Sequence, residues 1–281
     1  SIDNLFDPDY GIYVTGTQYQ NWKKSPQFDP NQNPWDKNGI CNYYSRGSEW
    51  EREASVTFFE KGKVVIEQNI GLRIKGASTR NNPGKSFNLL AKKAYGKSSF
   101  DYPILENNFD IDGNLIKSYK SISVRSVYEE TRARDKFAIE IIESRKDLTT
   151  VRGKNAVLFL DGEYWGYYVI QEKMDDDFIE SNYHVPKKSV AMIKEGEPEE
   201  GPKEECDNFN FFCEANSKKD LRDMEAYKEI TEFIDINSMI EHYAVGIYLG
   251  TTDWPWQNAG VWRNFGNKIE GNKFGDGKWR I

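Results

Sequence analysis

The sequence predicts an α+β fold in which a mainly β first half precedes a mainly helical second half. Alternating apolar residues flank the turn Lys61-Gly62, and two β-type runs flank the turn Asp161-Gly162. Apolar residues at helical spacing over 217–249 indicate helices in the second half. Because strands and helices are segregated along the chain, the pattern favours α+β over an alternating parallel fold.

The elements of the first half follow from local patterns. Residues 1–50 are rich in Asp, Asn, Pro and Gly without a period, so we expect a loop-rich N-terminal extension packed on the domain. A helix is predicted over 131–145, where apolar residues recur at helical spacing. The predicted strands are 54–60, 63–68, 71–75, 85–91, 119–124, 155–160 and 163–170, with Asp161-Gly162 as a type I′ turn.

The second half starts with a segment too acidic to pack. Residues 194–205 contain six glutamates with Gly and Pro, which predicts a solvated loop that could attract a basic substrate. Helices are expected over 217–234 and 238–249, the second with Ser238 as N-cap and Gly250 as its stop. A strand near 260–263 and a last hairpin through 275–277 into 278–281 should follow.

These elements predict three segments. The extension 1–50 precedes a β-rich lobe over 51–172 with one helix, and a helical lobe occupies 173–281. A sheet-rich lobe joined to a helical lobe is expected to leave a cleft. Because the last predicted strand meets the end of the sequence, the C-terminal lobe is expected to be partial.

Composition excludes several classes of protein. The formal charge is −7, which argues against binding to a nucleic-acid backbone. The sequence contains no run of 18 apolar residues, so no transmembrane segment is predicted within it. The two histidines, His184 and His242, are too few for a three-histidine zinc site. Cys206 and Cys213 could close a small disulfide loop, or all three cysteines could stay unpaired.

The first chemical candidate is the segment Asp253-Trp-Pro-Trp-Gln-Asn258, which follows a predicted helix and precedes a strand. Kinase-type phosphotransferases use an Asp that orients the attacking hydroxyl and an Asn five positions later that binds magnesium. Asp177 and Asn182 have the same spacing, but Asp177 lies in an acidic run that is typical of a helix start. The alternative for Asp253 is a turn or capping carboxylate.

The second candidate is Arg73-Ile-Lys-Gly-Ala-Ser-Thr-Arg80, with Lys85 after it. A turn rich in Gly and Ser between cations can cradle phosphates, and Lys85 could reach a phosphate oxygen. The alternative is an ordinary turn with solvated cations. The aromatic strand that ends at Glu172-Lys173 is typical of a core strand, or could line an adenine pocket between lobes.

These residues resemble the CotH kinase family, which is named for a spore-coat protein and is common on secreted bacterial proteins. The resemblance covers most of the chain. It is carried by segments 5–13, 49–56, 71–80, 85–87, 132–135, 161–168 with Glu172-Lys173, and 252–258.

The resemblance implies a bilobal, atypical protein-kinase-like fold and a transferase that uses ATP with Mg²⁺ or Mn²⁺. It assigns Asp253 and Lys85 to catalysis and Asn258 to the metal. Nucleotide binding is implied for Lys75, Ser78, Arg80, Lys85 and Glu172, whereas Arg134 matches a family arginine without an assigned role.

Two departures from the family pattern affect these expectations. Thr251-Thr252 stands where ordinary kinases have His-Arg before the catalytic Asp, so switching by a phosphorylated activation loop is not expected. The family's second metal-binding Asp follows a strand that resembles Lys278-Trp-Arg-Ile281, where this sequence ends. The 281-residue chain is therefore expected to lack one metal ligand and to be a poor catalyst.

Two functions from different classes follow. The first is an ATP-dependent kinase that phosphorylates Ser or Thr of a secreted or cell-surface protein, with a basic, Ser-rich protein as substrate and no nucleic-acid partner. The second is a non-catalytic cell-surface binding or structural module on the same fold, which the 14% aromatic content would suit. Glycoside hydrolysis is a weaker third, because no pair of carboxylates stands out.

Overall fold

The computed structural model describes residues 1–31, 41–127, 134–145, 147–252 and 259–281. These residues divide into two compact units. The first comprises Ser1–Glu106, Lys117–Lys136 and Gly153–Lys173, and the second comprises Asn107–Ile116, Phe137–Arg152 and Met174–Ile281. Their mixture of helices and strands is that of an α+β protein, as the sequence predicts.

The first unit is built on a six-stranded antiparallel sheet with the strand order β1-β2-β3-β4-β6-β5. Helix α3 (Arg134–Ile142) lies in the sequence between β4 and β5, inside the segment predicted to be helical. The strands are β1 (Arg52–Glu60), β2 (Lys63–Lys75), β3 (Ser86–Leu90), β4 (Ser121–Ser126), β5 (Gly153–Leu160) and β6 (Glu163–Glu172).

Both predicted hairpins of this sheet are confirmed. Their turns, Lys61-Gly62 and Asp161-Gly162, have positive φ at both central residues, as a type I′ turn requires. The separate strand predicted over 71–75 is wrong, because β2 continues from the first hairpin to Lys75 without a break. Gly71 lets the Glu51 side chain lie against this strand, since a Cβ there would lie 2.4 Å from the Glu51 carboxylate.

The two faces of the sheet differ in chemistry. Residues paired across antiparallel strands point to the same face, and Ile74, Phe87, Val124 and Ile170 form one such row of buried apolar side chains. One position along, the opposite face carries a row from four neighbouring strands, namely Arg73, Asn88, Ser123 and Gln171. We call this second set the polar row.

Residues 1–50 belong to the first unit, and their described part includes the short α-helices α1 (Asp3–Phe6) and α2 (Gly16–Lys23). Side-chain hydrogen bonds connect this segment to β1 through Asn4 and Arg52. Tyr13 connects it to the loop before β3, because its hydroxyl donates to the Pro83 carbonyl at 2.6 Å.

The second unit contains a three-stranded antiparallel sheet of order β8-β7-β9. The loop predicted over 194–205 is wrong. Glu195-Gly196 forms the turn of a β7–β8 hairpin, again with positive φ at both residues, and a helix begins at Lys203. The acidic side chains stay largely exposed on β8, so a charged segment can pair its backbone without entering a core. The strands are β7 (Val190–Lys194), β8 (Glu197–Glu200) and β9 (Gly260–Asn264).

Two helices of this unit begin after carboxylates that the sequence did not single out, Asp223 and Asp235. The helix predicted over 217–234 is confirmed in its second part only, because α5 (Lys203–Asn216) ends before it and α6 (Met224–Phe233) begins after its N-cap Asp223. Helix α7 starts after Asp235 instead of Ser238, while Gly250 ends it in a left-handed conformation as predicted. The helices are α4 (Asp176–Tyr183), α5 (Lys203–Asn216), α6 (Met224–Phe233) and α7 (Ile236–Leu249).

The last residues form isolated bridges in place of the predicted strand over 278–281. Trp279 N–H donates to the Phe233 carbonyl, whereas Arg280 N–H donates to the Trp262 carbonyl. Successive residues therefore bond to different neighbours, so no ladder forms with either. No helix of the described residues is long and apolar enough to cross a membrane.

The three cysteines, Cys41, Cys206 and Cys213, are all free thiols. Cys206 and Cys213 both lie on α5, seven positions apart. Two helical turns separate them by about 10 Å along the axis, which is too far for a disulfide. The unpaired alternative from the sequence is therefore the correct one.

Candidate functional site

The polar row is connected by hydrogen bonds around a fully buried serine on β4. The Ser123 hydroxyl accepts from Lys75 Nζ at 2.9 Å and donates to Asn88 Oδ1 at 2.8 Å. Lys75 is the last residue of β2, immediately before Gly76 of the predicted phosphate loop. The sheet thus fixes one ammonium group at the base of that loop.

A buried carboxylate holds the other end of the row. Arg73 Nε donates to Glu51 Oε2 at 2.7 Å, and Lys92 Nζ donates to both carboxylate oxygens. Burial acts to raise the pKa of Glu51, but hydrogen bonds from Lys92, Arg73 and Tyr95 together hold that pKa below its usual range. Arg73 is therefore held in an ion-pair cluster, and Lys75, two positions later, is the cation of β2 next to the loop.

Arg80 holds the phosphate loop in place. Only 7% of the residue is exposed, and its guanidinium donates to the carbonyls of Gly76, Tyr43, Ser45 and Ile74 at 2.6–3.0 Å. Burial lowers the pKa of Arg80 to about 10, and the charge of Arg46 acts in the same direction. Four backbone acceptors occupy this side chain, so in this arrangement it stabilises the loop.

Lys85 closes the other end of the same loop. Its ammonium donates to the carbonyls of Arg80 at 2.6 Å and Asn82 at 3.1 Å. The Nζ atom also lies 4.0 Å from the centre of the Tyr43 ring and 5.1 Å from that of Tyr13. With 4% of the residue exposed, burial lowers the pKa of Lys85 to about 8. Phosphate binding by Lys85 stays a prediction, while the structure shows its ammonium holding the loop.

Ser78 and Glu172 occupy different surroundings. Ser78 is exposed and begins the 3₁₀ turn Ser78–Asn81 in the phosphate loop. Glu172 is the last residue of β6 and is 3% exposed. It pairs with Ile122 and so belongs to the apolar face, whereas Lys75 and Ser123 belong to the opposite face. The sheet brings Lys75 and the loop together, but it does not add Glu172 to the polar row.

Several side chains that the sheet brings beside Lys75 were not predicted from the sequence. Asn88, Ser123 and Gln171 lie on its face, and so does Arg125, two positions after Ser123 on β4. A signal was available in Ser121-Ile-Ser-Val-Arg125, where polar residues alternate with apolar ones. Which strands would be neighbours could not be read from that alternation.

Asp253 and Asn258 lie outside the described residues, and so does the side chain of Arg134. Within the described part of the chain, no group of three or more His, Cys, Asp or Glu side chains is arranged to hold a metal ion. The metal ligation expected at Asn258 therefore remains a prediction.

Comparison with protein families gives one match. The family model described as CotH kinase protein matches residues 72–281, which is well over half of the chain. The matched region contains the whole polar row and the phosphate loop, whereas β1 and the N-terminal segment precede it. No curated protein matches the chain as a relative.

Proposed function

The chain belongs to the CotH kinase family, and we propose that it transfers the γ-phosphoryl group of ATP to Ser or Thr of a secreted or cell-surface protein. The observation that carries this proposal is the family match over residues 72–281. The arrangement of the polar face agrees with it, because phosphoryl transfer depends on positioned cations and not on covalent chemistry of the protein.

Lys75 is the cation that we assign to the phosphates. It leaves β2 next to Gly76, and Ser123 fixes its ammonium group at 2.9 Å. Arg125 lies on the same face of β4 and is exposed, so it could supply a second positive charge. Arg80 and Lys85 position the loop through its carbonyls. A loop held in this way binds phosphate with little loss of conformational entropy.

The remaining roles stay with the residues that the family resemblance implies. Asp253 would accept or orient the proton of the attacking hydroxyl, and Asn258 would bind a divalent metal. When bound, Mg²⁺ or Mn²⁺ would neutralise charge on the phosphates. Neither residue is described structurally, so we derive no further step from them.

The substrate that we propose is a basic, Ser-rich protein outside the cytoplasm. The β7–β8 hairpin and the first turn of α5 carry a run of glutamates, most of them exposed. Such a surface attracts positive charge at long range and repels nucleic acid. The location outside the cytoplasm rests on the family resemblance.

Transfer of labelled phosphate from ATP to a basic, Ser-rich peptide tests the proposal, with Mg²⁺ and with Mn²⁺. Asp253→Asn and Lys75→Met should each lower transfer by ~10²-fold or more. Lys63→Met is the matched control, because Lys63 is an exposed lysine on the same strand β2. If transfer survives Asp253→Asn, that residue has no catalytic role. If Lys75→Met and Lys63→Met have equal activity, Lys75 does not bind the phosphates.

One observation favours the alternative of a non-catalytic binding module. The β5–β6 hairpin exposes Val157, Phe159 and Tyr164, and β5 is an edge strand. Exposed apolar groups on a sheet edge are a common feature of protein-binding surfaces. If wild-type protein binds no ATP, this alternative replaces the kinase proposal.

A further inference from the structure

The outer edge of strand β5 has no hydrogen-bonding partner in the described part of the chain. On its inner side β5 pairs with β6, and it is the last strand in the order of the sheet. Alternate residues of an antiparallel edge strand direct their N–H and C=O groups away from the sheet. Among the described residues, no hydrogen bond uses these outward groups over 155–160. The backbone of this edge is therefore available to a further strand.

The sequence of this edge lacks the features that usually keep an edge strand from pairing with other chains. Residues 155–160 read Asn-Ala-Val-Leu-Phe-Leu, without a charge or a proline. The hairpin has a bulge, but it falls on β6 at Trp165, so β5 itself stays regular. Natural proteins usually protect an exposed apolar edge, because such an edge favours aggregation. This edge instead has the properties of a binding site for a strand.

The opposite edge of the sheet is better protected. On β1 the Glu53 carbonyl accepts a hydrogen bond from Asn4 of the N-terminal segment. The exposed side chains that precede Phe59 on β1 are polar, namely Glu53, Ser55 and Thr57. The two edges therefore differ in chemistry, and β5 is the more apolar one.

Apolar side chains lie beside the free edge on one face of the sheet. Val157 is 54% exposed, and Phe159 packs edge-to-face on Tyr164 with the ring centres 5.9 Å apart. Val157 pairs with Tyr167, four positions before Gln171 on β6, so it lies on the face that carries the polar row. A strand added to β5 would be the third strand from β4, about 14 Å away from it.

The charges of the β5–β6 hairpin are negative. Between Asn155 and Gln171 the charged residues are Asp161 and Glu163, and both are exposed at the turn. That span contains no lysine or arginine. Complementary charge therefore favours a strand with basic residues near this turn and disfavours an acidic one.

We propose that the outer edge of β5 binds an extended segment of the protein substrate by strand addition, with apolar side chains beside Val157 and Phe159 and basic residues near the turn. Main-chain hydrogen bonds give affinity in this mode, and alternate side chains give specificity. The assignment of the segment to the substrate rests on the proposed function. A second copy of the chain would suit the edge less well, because Lys154 at the start of its own β5 is already paired with Glu60.

Titration of the 281-residue chain with a fluorescent peptide tests the binding without ATP. In this peptide Val alternates with Thr, and lysines flank the alternating part. Glutamates in place of the lysines should weaken binding by roughly 10-fold at low salt. Proline is placed at either of two consecutive central positions in two further peptides. One of these two must lose an N–H that pairs with β5, so it should not bind.

Variants of the protein locate the binding on the edge. Val157→Lys places a positive charge there and should weaken binding by roughly 10-fold. Val64→Lys is the matched control, because Val64 is 52% exposed on β2, an interior strand of the same sheet. Asp161→Asn combined with Glu163→Gln should lower both the affinity and its dependence on salt. Equal binding by the two lysine variants would overturn the proposal.

Amide hydrogen exchange distinguishes strand addition from other contacts. Alternate amides over 155–160 should exchange more slowly when the peptide is bound, whereas those over 55–59 on β1 should not change. A bound peptide that leaves β5 unprotected would overturn the proposal. A concentration-dependent dimer that Val157→Lys abolishes, without binding of the peptide, would assign the edge to a second copy instead.

Phosphate transfer to a basic, Ser-rich peptide, with and without the alternating segment attached, tests the link to the substrate. The attached segment should lower KM by roughly 10-fold with little change in kcat, and Val157→Lys should remove this difference. If neither peptide is phosphorylated, the proposed function fails, while the titration still shows whether the edge binds a strand. If both are phosphorylated with the same KM, the docking proposal fails and the kinase proposal stands.

Discussion

Replacement of Arg80 by Met is expected to destabilise the first unit by about 2–4 kcal/mol. The guanidinium satisfies four carbonyls, and its bonds to Tyr43 and Ile74 are buried. Each buried acceptor left without a donor costs about 1–3 kcal/mol. The variant also removes a buried charge, which returns part of this cost, so the net loss is smaller than the sum over four bonds.

Urea unfolding followed by tryptophan fluorescence measures this loss. With a denaturant slope of about 3 kcal/mol per M, the midpoint should fall by roughly 1 M. Arg80→Lys should be nearly as unstable as Arg80→Met, because the single nitrogen of an ammonium group cannot reach all the carbonyls to which the planar guanidinium donates. Arg222→Met is the control, since Arg222 is exposed and pairs with the exposed Asp220.

An Arg80→Met midpoint equal to that of Arg222→Met would refute this account of the loop. It would mean that the four carbonyls find other donors when the guanidinium is absent. In that case Arg80 would be available for the nucleotide contact that the family resemblance implies.

Three further predictions concern charged side chains. Because burial lowers the folded-state pKa of Lys85 to about 8, the unfolded chain binds more protons above that pH. Wild-type stability relative to Lys85→Met should therefore rise between pH 8 and 10 by about 2 kcal/mol. A constant difference in urea unfolding would contradict this. Since the pKa of Glu51 is lowered, Glu51→Gln should cost about 3 kcal/mol at pH 7, and the gap should close as the pH falls below the ordinary Glu value. Asp235 caps α7 and pairs with the buried Arg280 at 3.1 Å, whereas Asp223 caps α6. Asp235→Ala should therefore shift the unfolding midpoint more than Asp223→Ala, for which loss of the cap costs about 1 kcal/mol. Equal shifts would show that the ion pair is not stabilising.

Turns and helix stops were predictable because their causes are local. Asp161-Gly162 forms a type I′ turn wherever strands flank it, since both residues tolerate positive φ. Gly250 ends α7 for the same reason. Helix starts were less predictable, because Asp235 and Ser238 are both good N-caps. A distant contact decides which of the two caps α7, since the Ser238 hydroxyl is hydrogen-bonded to the backbone of Ile281.

The sequence alone determined the α+β class, the two hairpin turns of the large sheet and the family, because alternation, turn residues and family motifs are properties of neighbouring positions. Only the tertiary structure decided what each cation does. Lys85 and Arg80 both look like phosphate ligands in the sequence, yet carbonyls and aromatic rings from Tyr13 and Tyr43 enclose them. Strand pairing between positions as distant as 73 and 171 assembled the polar row. The energy of such pairing depends on which strands become neighbours, and no local pattern encodes that.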